Sequence, residues 1–197
     1  MYSQNDEEKV ILQYFKGRKG HLTDIGANDG VTFSNSRALI EQGWTADLVE
    51  PSPLALQRLR KLYSVTESVN IYPYAVTTED GPVMLHESDQ HHGDNIALLS
   101  TLKETEILRW KGTQQFTPVQ VEGMTWDSLG LDAGIFVSID AEGMDYDILR
   151  QIALNNVDMV CIEYNGNERQ KAKMIAYCSA YQMPLIHTTG ENLIFAR

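Results

Sequence analysis

Apolar positions along this chain follow two periods, and the periods alternate. In "EEKVILQYF", Val10, Ile11, Tyr14 and Phe15 share one face at helical spacing, which predicts an opening amphipathic helix. "HLTDIGA" is a short apolar strand that runs into a glycine-containing loop. Ser34 to Gln42 reads as a helix stopped by Gly43. "TADLVE" is a second strand, ending in Glu50 before Pro51. Ala55, Leu59 and Leu62 then form a helical stripe, and "VNIYPYAV" is a third strand. Pro73 interrupts it and suggests a sheet edge or an irregular end.

Residues 78–130 break this order. "EDGPVMLHES" reads as a turn into a strand, "DQHHGDN" as a polar loop, and Val119 and Val121 mark another alternating run. The region reads as an insertion forming a hairpin or a lid within a single domain of residues 1–197. Alternation resumes with the near-continuous apolar strand "GIFVSIDAEG", a helix marked by Met144, Ile148 and Ile152, and the strand "VDMVCIEYN". A helix carrying Met174, Cys178 and Tyr181 follows, and "MPLIHTTGENLIFAR" reads strand, turn, strand. Strands separated by helices predict an α/β fold with a parallel sheet, closed here by an antiparallel hairpin.

The formal net charge of -11 disfavours nucleic acid and anionic lipid as partners. Two cysteines, Cys161 and Cys178, are too few for a disulfide or metal framework and read as core thiols. No apolar run reaches the ~18 residues of a membrane span. With a polar, acidic N-terminus, the expectation is a cytoplasmic protein. Oligomeric state stays open, a homo-oligomer included.

The loop "GANDG" asks what the backbone must approach. A P-loop fails, because Gly26 is not followed at the required interval by Gly-Lys. A dinucleotide fingerprint is weak, because Asn28 and Val31 occupy the second and third glycine positions. S-adenosylmethionine makes other demands. Asp24, just before the loop, can receive its ammonium, and amides at the following helix start its carboxylate. Glu50, at the end of the next strand, has two acceptor oxygens suited to the ribose diol. A terminal antiparallel strand also fits the Rossmann-like methyltransferase sheet better than a dinucleotide-binding one.

"DIGANDGVTFSNS", "LVEPSP", "VSIDAEGMDYDIL", "IEYN" and "ENLIFAR", in this order, resemble the FkbM-type S-adenosylmethionine-dependent methyltransferases. The resemblance implies a Rossmann-like class I fold. Its sheet would be mostly parallel and seven-stranded, with an antiparallel last strand and helices on both faces. It also implies methyl transfer to an oxygen, often of a sugar or polyketide. By position, Asp24, Gly26, Ala27, Asn28 and Gly30 would line the methionine end of the cofactor, with Asn35 adding a polar contact. Glu50 would hold the ribose beside Pro51 and Ser52, and Tyr74 and Ala75 would border the adenine. Asp145 stands where the family usually has Glu, and residues 78–130 match the family poorly.

A hydroxyl acceptor must lose a proton. Asp140 and Glu142, at the carboxyl end of a central strand, can act as the base or together hold a divalent cation. Without a dedicated metal cage, the metal-free reading is preferred and no metal ligand is assigned. His86 is a further candidate base, while adjacent His91 and His92 read as loop decoration. Glu163 and Asn165 can line an acceptor pocket, and Trp110 is the tryptophan to watch because it lies in the insertion. The leading expectation is an O-methyltransferase acting on a sugar, glycan or small-molecule hydroxyl. A non-catalytic binding module on the same fold is the alternative, and a nicotinamide dehydrogenase a weaker third.

Overall fold

The computed structural model describes residues 1–92 and 95–197, and the side chains of His91, His92 and Ile96 lie outside that description. Twelve strands are assigned among the described residues: β1 His21–Ile25, β2 Thr45–Val49, β3 Val69–Tyr72, β4 Ala75–Val76, β5 Gly81–Ser88, β6 Gln90–His92, β7 Asn95–Ile96, β8 Phe116–Met124, β9 Phe136–Ile139, β10 Met159–Glu163, β11 Leu185–Thr188 and β12 Asn192–Ala196. The helices are α1 Glu7–Phe15, α2 Arg37–Glu41, α3 Pro53–Leu62, α4 Glu104–Arg109, α5 Trp126–Leu129, α6 Asp145–Leu149 and α7 Glu168–Ala180. The main sheet has seven strands in the order β11-β12-β10-β9-β1-β2-β3. β10, β9, β1, β2 and β3 are parallel to one another. β12 is antiparallel to both β10 and β11, so the last strand sits inside the sheet beside β10.

Both faces of this sheet are covered, which is why its central strands are apolar on both sides. Ile11, Phe15, Leu39 and Leu59 from α1, α2 and α3 pack with Leu22 and Leu48. Ile148, Met174 and Cys178 from α6 and α7 pack with Val137 and Val160 on the other face. Phe15 meets Trp44 edge-on, with ring centroids 4.7 Å apart. Cys161 and Cys178 are free and buried. No helix among the described residues is long and apolar enough to cross a membrane.

The structure departs from the periodicity at three places. α2 starts at Arg37 rather than Ser34, because serine hydroxyls compete with helical backbone bonding. Ser34 Oγ accepts from the Arg37 amide, and Ser36 Oγ donates to Asp24. α6 ends at Leu149, although Ile152 beyond it remains fully buried. At Pro73 the chain leaves the main sheet: β3 ends before it, and β4 pairs with β8 instead. β8 also pairs antiparallel with β5 from Gly81↔Gly123 to Ser88↔Phe116. The insertion is therefore a long hairpin, with β6, β7 and α4 between its arms. The polar "DQHHGDN" stretch contributes β6 and β7, which pair antiparallel.

Candidate active site

The carboxyl ends of β1, β2 and β9 open onto a cleft of about 860 Å³, part of it open to solvent. Asp24, Gly26, Ala27, Asn28, Asn35, Glu50, Pro51, Tyr74 and Ala75 all line it. Asp24 and Glu50 thus face one crevice from adjacent strands. Glu50 is fixed by two backbone donors: the Asn28 amide to Oε2 and the Ser52 amide to Oε1, both at 2.8 Å. Each oxygen keeps a further acceptor position for a ligand. Burial pushes the Glu50 carboxyl up to about 7, against the opposing pull of those two amides. Asp24 accepts from Ser36 Oγ at 2.5 Å, and burial raises it to about 6.

Gly26 answers the question raised by the loop. Its φ is +85°, and a Cβ there would stand 1.7 Å from the Asp140 carbonyl oxygen. The backbone must approach the end of the neighbouring strand as well as the cleft. Gly30 is outside the cleft wall. A Cβ at Gly30 would strike Leu59 at 2.7 Å, so this glycine lets the loop pack on α3. Ser52 is also outside the wall. It caps α3 by accepting from the Ala55 amide, and its hydroxyl donates to Glu87 on β5 at 2.5 Å. His86 lines neither this cleft nor the cavity beside it; its backbone bonds to Thr101 within the insertion. His91 and His92 have side chains outside the described residues.

A second cavity of about 590 Å³, part of it open to solvent, adjoins the first and shares Phe33, Leu98, Asp140 and Glu142 with it. Its other walls are Gln4, Leu99, Arg109, Trp110, Glu163, Asn165 and Glu191. Asp140, Glu142 and Glu163 bring one carboxylate oxygen each within 4.8 Å of one another. Burial and mutual repulsion raise all three above the usual carboxylate range. Asp145 is no member of this group. Its Oδ1 accepts from the Ala141 amide at 2.8 Å and its Oδ2 from the Gly143 amide at 3.0 Å. It thereby pins the loop that presents Glu142 at φ 42°.

Five of the seven non-glycine residues with positive φ among the described residues line these two cavities: Asn28, Phe33, Ala97, Glu142 and Asn165. Such conformations cost about 1–3 kcal/mol each and gather at functional sites. Several residues that line the cavities or support their walls had no role assigned from the sequence. Ser36 and Ser138, which hydrogen-bond Asp24, are too common a type to stand out. Leu85, Ala97, Leu98 and Leu102 bring the insertion over the first cleft. The apolar island "IALL" inside a polar stretch was the available signal. Gln4 and Glu191 reach the second cavity from segments 187 residues apart in sequence, and no local pattern marks them.

Among solved structures, an FkbM methyltransferase from Methylobacillus flagellatus superposes with a TM-score of 0.59 at 14% identity, over 91% of this chain. This chain spans only 44% of that protein's length. A putative RNA methyltransferase from Pyrococcus horikoshii gives a TM-score of 0.55 at 10% identity, covering 98% of this chain and 81% of its own. A precorrin-6y C5,15-methyltransferase from Geobacter metallireducens gives 0.52 at 10% identity, covering 96% and 85%. At these identities the likeness is one of fold. No curated protein matches the chain significantly. Residues 24–183 match the methyltransferase FkbM domain, a stretch that holds the glycine loop, Glu50 and the whole acidic group, and on that match the chain belongs to the FkbM methyltransferase family.

Proposed function

We propose that the protein is an S-adenosylmethionine-dependent O-methyltransferase acting on a sugar, glycan or other small-molecule hydroxyl. The observation that carries the reading is the pair Asp24 and Glu50, facing one cleft from the ends of β1 and β2. Glu50, held by two amides, would accept the two ribose hydroxyls. Asp24 would receive the ammonium. The cleft wall also offers Asn35, whose buried Oδ1 has no hydrogen-bond partner among the described residues and suits a donor on the ligand. Tyr74 and Ala75, with Leu85 and Leu102, supply the apolar walls that an adenine needs.

When bound, the cofactor supplies an electrophilic methyl group: the acceptor oxygen bonds to its carbon as the carbon–sulfur bond breaks, and that electron pair stays on sulfur. The second cavity would hold the acceptor, because it meets the first cleft at Asp140 and Glu142. A carboxylate of that pair takes the hydroxyl proton and passes it to solvent. The cavity walls orient the acceptor and contribute proximity. Trp110 and Asn165 suit a polyhydroxylated ring, which presents an apolar face and polar edges.

Isothermal calorimetry with S-adenosylhomocysteine tests the reading. One site per chain is expected, weakened at least about tenfold in Glu50→Gln, as for loss of a charge-assisted hydrogen-bond pair. A folded protein that takes up no heat from the ligand would refute it.

A further inference from the structure

We propose that Asp140, Glu142 and Glu163 form a divalent-cation site, of the magnesium or manganese type, at the boundary between the cofactor cleft and the acceptor cavity. The sequence suggested at most an acidic pair after β9. The fold adds Glu163 from the end of β10, the strand parallel to β9. One oxygen from each residue lies within 4.8 Å of the other two. Oxygens around an octahedral ion with bonds of about 2.1 Å stand about 3 to 4 Å apart. Small side-chain adjustments close the group onto one ion.

A second observation points to a ligand. Glu163 is only 6% exposed, and its Oε2 has no hydrogen-bond partner among the described residues. A buried acceptor left empty is costly, and a buried carboxylate without a counter-charge more so. None of the three is in an ion pair among the described residues. Arg109, the basic residue in the cavity wall, is paired to Glu106 at 3.1 Å and lies over the Trp110 ring. Hard carboxylate oxygens select a hard cation, and the adjoining cavity leaves room for water and an acceptor oxygen. Asp145 is spent on the Ala141 and Gly143 amides, so it shapes the site without joining it.

The ion would acidify an acceptor hydroxyl beside it and fix that oxygen's direction of approach. This role rests on the methyl-transfer reading above; the site itself does not. Manganese is the probe. The protein, stripped with chelator, is titrated with Mn²⁺ and free ion is followed by electron paramagnetic resonance, with and without S-adenosylhomocysteine. One Mn²⁺ per chain is expected, displaced by excess Mg²⁺, with affinity at least about tenfold lower in Glu163→Gln. Circular dichroism and calorimetry with S-adenosylhomocysteine establish that the variant is folded. Asp140→Asn, expected to lose affinity likewise, serves if Glu163→Gln does not fold. Failure of the wild type to bind at about millimolar Mn²⁺, or equal binding by folded variants, overturns the site. S-adenosylhomocysteine binding without Mn²⁺ binding would sink the ion and leave the methyltransferase reading standing. Mn²⁺ binding without S-adenosylhomocysteine binding would keep the site and remove its role.

Discussion

Gly26 shows how one atom decides a site. The neighbouring Asp140 carbonyl occupies the place of a side chain, and the positive φ adds strain for any L-residue. Gly26→Ala should therefore destabilise by on the order of 3 kcal/mol or more. It should also disturb Asp24 and Asp140 together, since both flank the contact. Urea unfolding reads the stability, and a midpoint within error of the wild type would refute the packing account. The sequence marked Gly26 and Gly30 alike. Only the fold separates them, one touching a strand end and the other the side chains of α3.

At the level of elements, α3 ties the cleft to the insertion. Its cap residue Ser52 accepts from the Ala55 amide, donates to Glu87 of β5, and lends its own amide to Glu50. Ser52→Ala removes the first two bonds and keeps the third. A loss of about 1–2 kcal/mol is expected from the cap, and more from the Glu87 carboxylate, which would keep only the long bond from the Leu54 amide at that oxygen. Thermal melting measures the total, and an unchanged midpoint would mean the hairpin is anchored elsewhere. The strand and helix order was legible because each element keeps its own period and its own stop: Pro73 divides β3 from β4, and Gly43 follows α2. The pairing of β4 with β8 was not legible, since it joins segments 48 residues apart across the hairpin.

Across the whole molecule, buried acids gather at the carboxyl ends of the strands in a chain of net charge -11. The folded-state values of Glu50 and Asp24 are raised, to about 7 and about 6. In that window the native state holds more protons than the unfolded chain, so stability falls as pH rises. Urea unfolding without ligand should give a higher midpoint near pH 5 than near pH 8. Each of the two carboxylates contributes on the order of 3 kcal/mol at most. A midpoint that is flat, or higher at pH 8, would contradict this. Bound ligand charges that pair with these acids should flatten the profile.

The sequence by itself determined the alternation of strands and helices, the closing antiparallel hairpin, and the acids that end β1, β2 and β9. These are local features, written in period, turn chemistry and strand ends. Tertiary structure alone decided that Glu163 joins Asp140 and Glu142, that Asp145 holds the loop between them, and that the insertion and the N-terminal segment wall the cavities. Those groupings depend on strand order and crossovers, which bring together side chains too far apart in the chain for any local pattern to announce.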